Sequence, residues 1–140
     1  MVNSRFTVAI HVLCVLASQQ GQPLTSEYIA GSVNTNPVVI RRILALFRKA
    51  GLVKSQAGVA GGWELIPKPS KIALAEVFRI VMPKAVFAMH SSQPNPLCPI
   101  GRNVQKGLAI HYRKAQDALE RQLADTTISE VLKDVLAAGK

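Results

Sequence analysis

The side chains of this 140-residue chain best suited to recognition chemistry lie between positions 34 and 56. Asn34, Thr35 and Asn36 stand in a row before Pro37, and Arg41, Arg42, Arg48, Lys49 and Lys54 follow with no acid among them. Five permanent cations in so short a span attract phosphates, and the short amides and hydroxyl beside them, with Gln56 further on, suit the hydrogen-bonding edges of bases. Taken singly, each is also what any solvated helix face displays; the cluster is what points to a nucleic acid. A second place for chemistry is Cys98-Pro99, preceded in sequence by His90. A cysteine that opens a helix sits at the positive end of the helix dipole, the setting of a redox thiol or of a Cys-His pair. A small residue that merely caps or packs at the helix start fits the same position.

The balance of the chain favours the first of these. There are 17 Lys and Arg against 8 Asp and Glu, net +9, and the excess is uneven: residues 1–71 carry eight cations and two acids, residues 72–140 nine and six. An anionic partner follows from that distribution. With 49% hydrophobic and 18% charged residues the composition excludes disorder and supports one domain with a core, plus an appendage. Cys14 and Cys98 form neither a disulfide framework nor a C-x-x-C metal pair, so a reducing cytoplasm is expected. The opening "MVNSRFTVAIHVLCVLASQQG" imitates a signal peptide, but His11 interrupts it, no small-x-small cleavage site follows, and it is too short to cross a bilayer. It reads as a buried helix, and no membrane partner is expected. His11 and His111 read as packing or interface residues, and Trp63 as core.

The elements that must hold the basic cluster can be traced in order. Residues 4–19 predict a helix that is apolar nearly all round, hence covered on more than one side, with a partner subunit as one candidate cover. "LTSEYIAGSV" predicts a short helix with Thr25 as N-cap and Glu27 in its first turn. Asn36 then caps, and Pro37 begins, a helix over 37–50. On a helical wheel Ile43, Leu44 and Phe47 fall within about 60° of Ile40, the face to be buried. Val38, Arg42, Ala45 and Lys49 point the opposite way, Arg41 and Arg48 flank, and Gly51 stops the helix. "LVKSQ", "AGVAGG" and "WELIP" predict a hairpin with a flexible tip. A further helix covers 73–82, and the three prolines of 83–97 mark a linker. From Pro99 to about Ala124 one helix carries Ile100, Val104, Leu108, Ala115, Leu119 and Leu123 on a stripe. Its length of roughly 40 Å outruns the domain before it. A last helix starts at a Thr127–Glu130 capping box.

Helix, short helix, Asn-Pro-initiated basic helix and two-stranded wing is the order of a winged helix-turn-helix. The chain is therefore expected to be mainly α with a small β-wing: a winged helix-turn-helix DNA-binding domain at 1–82, a linker at 83–97 and dimerisation helices at 98–140. The residues expected to face DNA are Asn34, Thr35, Asn36, Val38, Arg41, Arg42, Lys49, Lys54 and Gln56.

"AGLVKSQAGVAGGWEL", the apolar first helix and the "IALAEVFRIV" helix after the wing together resemble the Rrf-two family of bacterial transcriptional regulators. That family includes the iron-sulfur cluster regulator, the nitric-oxide-sensing repressor and the cysteine-metabolism repressor. The resemblance covers nearly the whole chain, and its most specific part is the wing, G-L-V-x-S leading to G-x-x-G-G and Trp63. It implies a homodimer whose long C-terminal helices cross and whose winged helices meet a palindromic double-stranded site. Where the family's wing often carries arginines, this chain has Ala57 and Ala60. Where sensor members hold a cluster on three cysteines, it has only Cys98, with Ser91 and Ser92 before it. The expectation is a homodimeric repressor without a cofactor. Two rivals stay open at this point: a small thiol enzyme built on Cys98 and His90, and a winged-helix module that meets an acidic protein.

Overall fold

The structure, a computed structural model, describes residues 3–139. Its first helix, α1 (Arg5–Ser18), buries Ala9, Val12, Leu13, Cys14, Leu16 and Ala17, so nearly every turn contributes to the core. α2 (Ser26–Val33) starts where the Thr25 hydroxyl accepts the Tyr28 N–H at 3.1 Å. It ends at Asn34, whose φ of 62° is left-handed, a conformation that asparagine tolerates better than most residues. The Thr35 N–H then donates back to the Ala30 carbonyl at 3.1 Å, and the chain turns into α3 (Pro37–Lys49). Asn36 accepts the Val38 N–H at 2.9 Å, and Pro37 lacks only an N–H that a helix start leaves unused.

Ile40, Ile43, Leu44 and Phe47 of α3 are buried as their spacing requires. The helix closes when the Leu52 N–H reaches the Phe47 carbonyl at 2.9 Å and the Gly51 N–H reaches the Arg48 carbonyl at 3.0 Å, with Gly51 at φ 81°. Strands β1 (Val53–Gln56) and β2 (Gly62–Leu65) pair antiparallel in the register Val53↔Leu65, Lys54↔Glu64, Ser55↔Trp63. The pattern did not foretell that Leu24, before α2, joins this hairpin. The Leu24 N–H donates to the Trp63 carbonyl at 3.0 Å, and the Trp63 N–H to the Leu24 carbonyl at 2.7 Å. Gly62 permits that approach, because a Cβ there would lie 2.6 Å from the Leu24 oxygen.

A short 3-10 turn, Pro69–Lys71, leads to α4 (Leu74–Val81), which meets α1 through an edge-to-face pair, Phe6 and Phe78, with centroids 5.3 Å apart. Residues 83–97 hold no helix or strand. They begin along α5 (Pro99–Ala124): Gln116 accepts the Val86 N–H and donates to the Lys84 carbonyl, and Phe87 stacks on Tyr112 at 5.0 Å. No residue of α5 is buried. The single stripe read from its sequence divides. Val104, Leu108 and Leu123 are half-buried, while Ile100 and Leu119 are exposed together with Ile110, which lay off the stripe.

The last helix, α6 (Ile128–Ala138), alters the expected organisation. The Leu74 N–H donates to the Thr126 carbonyl and the Ile128 N–H to the Ile72 carbonyl, each at 2.9 Å, so α6 is tied to the start of α4. Ile128 is buried, Val131 and Leu132 pack on the same core, and α6 lies against α1. The apolar surplus of α1, for which a partner subunit was one candidate, is thus covered by the chain's own last helix. The segment 98–140, expected as dimerisation helices, separates into an α5 that packs along α4, where Arg79 pairs with Glu120 at 3.3 Å, and an α6 that rejoins the N-terminal core.

Candidate nucleic-acid interface

Burying one face of α3 fixes what the opposite face must show. Val38, Val39, Arg41, Arg42 and Lys49 are exposed, and Asn36 stands exposed at the leading end. Among the described residues Arg42 forms no salt bridge, which leaves its guanidinium available to a phosphate or a base edge. Arg41 is held by the Glu27 carboxylate of α2, a pairing between two exposed groups that orients the arginine beside the turn. Arg48 lies 5.6 Å over the ring of Trp63, a cation–π contact that joins the end of α3 to the wing. Neither engagement was foreseen. The cue for the first was Glu27, the one acid ahead of the cluster; the cue for the second was an aromatic on the wing's return strand. Val39 is exposed beside Val38 at the leading end, a position that the sequence reading did not single out.

The three polar residues before Pro37 do different things. Asn34 supplies the left-handed turn, Asn36 caps α3, and half-buried Thr35 sits beside Arg42 on the wall of a groove. On the wing, exposed Lys54 faces Glu64 across the strands, and exposed Gln56 faces Gly62. The tip carries Ala57, Ala60 and a fully exposed Val59, and no charge. The cations of this region therefore lie on α3 and at Lys54, and none at the wing tip.

Cys98 is half-buried and caps α5, its sulfur accepting the Gly101 N–H at 3.5 Å. His90, exposed, lines an open hollow of about 240 Å³ with Met89, Gln105, Leu108 and Tyr112, and Cys98 is not on its wall. His11 donates to or accepts from the Ser32 hydroxyl at 2.9 Å. Cys14 is buried in α1, where loss of solvent raises its thiol pKa above the ordinary value. Among the described residues no three His, Cys, Asp or Glu side chains gather as a metal-binding group. No helix among them is long and apolar enough to cross a membrane.

A recognition helix introduced by a tight turn, backed by a two-stranded wing and followed by a long helix with no buried residue, defines a winged-helix DNA-binding regulator of transcription, a class that performs no catalysis. A profile of the Rrf2 family, described as an iron-dependent transcriptional regulator, matches residues 2–134, and the chain belongs to that family. YwnA of Bacillus subtilis (strain 168), named as an HTH-type transcriptional regulator, is 42% identical over 133 residues that span 94% of this chain and 97% of YwnA. A crystal structure described as that of a DNA binding protein is 38% identical, with a TM-score of 0.75 over 92% of this chain and 99% of that one. The structure of IscR from T. potens, at 24% identity, shares the fold with a TM-score of 0.74 over 100% of this chain and 91% of its own.

The family's description names iron, and the donor set of this chain does not fit it. Clusters and iron sites of this kind need several thiolates or imidazoles converging on one point. Cys98 is a lone thiol at the start of α5, and Cys14 is enclosed in the core of another helix.

Proposed function

We propose that this regulator is a homodimeric repressor acting in the cytoplasm, which sets two α3 helices into successive major grooves of an inverted-repeat operator and does so without an iron–sulfur cluster. The carrying observation is the division of α3. Ile40, Ile43, Leu44 and Phe47 are spent on the core, while Val38, Val39, Arg42 and Lys49 stand outward behind a leading end capped by Asn36. In this reading the leading turn meets base edges, Arg42 a base edge or a phosphate, and Arg41, Lys49, Lys54 and Gln56 phosphates or sugars alongside. Dimerisation is supported by α5. It is 26 residues long with none buried, leaves Ile100 and Ile110 at 75% and 53% exposure, and carries Gly107 in mid-helix with open space around it. A glycine there lowers helix stability by about 1 kcal/mol relative to alanine, which makes sense where another backbone must come close.

The test is selection of bound sequences from a random duplex pool, followed by titration at several salt concentrations. An enriched inverted repeat with half-sites about 34 Å apart is the expected result. Enrichment of a single half-site would defeat the dimeric arrangement. Absence of any enrichment, with tight binding to every duplex, would defeat sequence-specific regulation.

A further inference from the structure

Beside α3 the structure has a groove of about 380 Å³ that runs between this helix and the start of α1. Val8, Val39 and Ile43 form its apolar side, and Asn3, Ser4, Arg5, Thr35 and Arg42 complete it. Arg5 is exposed, and neither salt bridge among the described residues includes it or Arg42. Neither acid of residues 1–71 lies on the wall: Glu27 is engaged with Arg41, and Glu64 belongs to the wing. Two unpaired guanidinium groups thus share one groove from which carboxylates are absent. Each carries several N–H donors and no acceptor, so an anion that enters the groove is the ligand their chemistry fits.

We propose that this groove seats a backbone phosphate of the bound DNA, with Arg5 as a further anchor on the wall opposite α3. The inference rests on the reading of α3 as the groove-facing helix, and extends the DNA-binding surface to a helix outside the helix-turn-helix. A DNA strand suits the groove better than a free anion does, because the wall also holds exposed Val39, which a sugar covers and a bare phosphate leaves wet. Arg5 is well placed to hold a fixed position. α1 is locked by Ala9, Val12, Leu13 and Leu16 in the core, and its first turn is closed by the Val8 N–H donating to the Ser4 carbonyl at 2.9 Å. Asn3 accepts the Arg5 N–H at 2.8 Å, which fixes the backbone from which the guanidinium extends. The planar fork of arginine can then hold two phosphate oxygens at once.

Arg5→Ala, Arg5→Lys and Arg42→Ala proteins are compared with wild type on two duplexes, one carrying the enriched inverted repeat and one of mixed sequence. Arg5→Ala is expected to melt as wild type does and to lose about tenfold in affinity on both duplexes. Its salt slope should fall by about 0.9, the share of one phosphate, while Arg5→Lys keeps the slope and most of the affinity. Replacing single phosphates by neutral methylphosphonates should reveal one position that weakens wild type but not Arg5→Ala. Arg5→Ala binding with wild-type affinity and slope, while Arg42→Ala binds less well, overturns the phosphate seat and leaves the α3 reading standing. A loss confined to the inverted repeat overturns the backbone assignment, since a phosphate contact is blind to sequence. Failure of both variants to change anything overturns the α3 reading itself.

Discussion

Asn36 caps α3 and also stands at the end of that helix expected to meet DNA, so one substitution tests two roles. Asn36→Ala should lower stability by about 1 kcal/mol in urea unfolding, because the Val38 N–H loses its acceptor. Asn36→Ser should restore most of that stability; a binding defect that persists in the serine protein belongs to the lost amide. Arg42→Ala should leave stability unchanged and weaken operator binding by about 1–3 kcal/mol if the guanidinium meets a base, or lower the salt slope by about one if it meets a phosphate. Equal affinity and slope in a titration would remove Arg42 from the interface. Cys14 offers a test by pH. Burial raises its thiol pKa above 9.0, so in alkaline solution the unfolded chain gives up this proton before the folded chain does. Its contribution to stability is complete below pH 9.0 and is lost as pH climbs through the raised value. Denaturant unfolding of wild type and Cys14→Ala between neutral and alkaline pH should therefore converge as pH rises; parallel curves would refute the assignment.

Among the elements, the helix starts were the most legible, because Thr25, Asn36-Pro37 and Thr127–Glu130 carry their signals in a few adjacent residues. The buried face of α3 was equally plain, since Ile40, Ile43, Leu44 and Phe47 obey one helical period. What escaped were contacts whose partners lie far apart in sequence. Nothing near Leu24 announces that it pairs with Trp63, and nothing in α1 says whether α6 or a second chain covers it. The candidate site divides in the same manner. Its cations could be counted, but the engagement of Arg41 by Glu27 and of Arg48 by Trp63 depends on how α2, α3 and the wing close on one another. Two substitutions probe that closure. Gly62→Ala would force a Cβ against the Leu24 backbone, and should lower stability and weaken DNA binding by freeing the wing. Arg48→Met removes the cation over the chain's single tryptophan, and should shift Trp63 fluorescence at a cost of about 0.5–1 kcal/mol. An emission spectrum identical to wild type would show that the arginine does not rest on the ring.

At the scale of the whole molecule, the proposed dimer rests on the exposed side of α5. Ile110→Glu, alone or with Leu119→Glu, should yield a folded single subunit, since both side chains are turned away from the chain's own core. Leu108, lining the hollow beside His90, should instead perturb the 83–97 segment when charged. A wild-type mass of one subunit by light scattering at micromolar concentration would end the dimeric proposal. Anaerobically purified protein is expected to be colourless and to lack stoichiometric iron and sulfide, because one accessible thiol per chain cannot hold a cluster. Visible absorption with matching iron and sulfide would reverse that reading. The return of α6 to the core has a temporal side as well. Ala9 and Val12 leave the ribosome before Ile128, which shares their cluster and emerges on the order of ten seconds later at ordinary rates of synthesis. For that interval the side of α1 that α6 covers waits for its partner. The N-terminal half is therefore expected to mature only once the C-terminal half has emerged, and a chain ending before Ile128 is expected to leave that part of α1 uncovered.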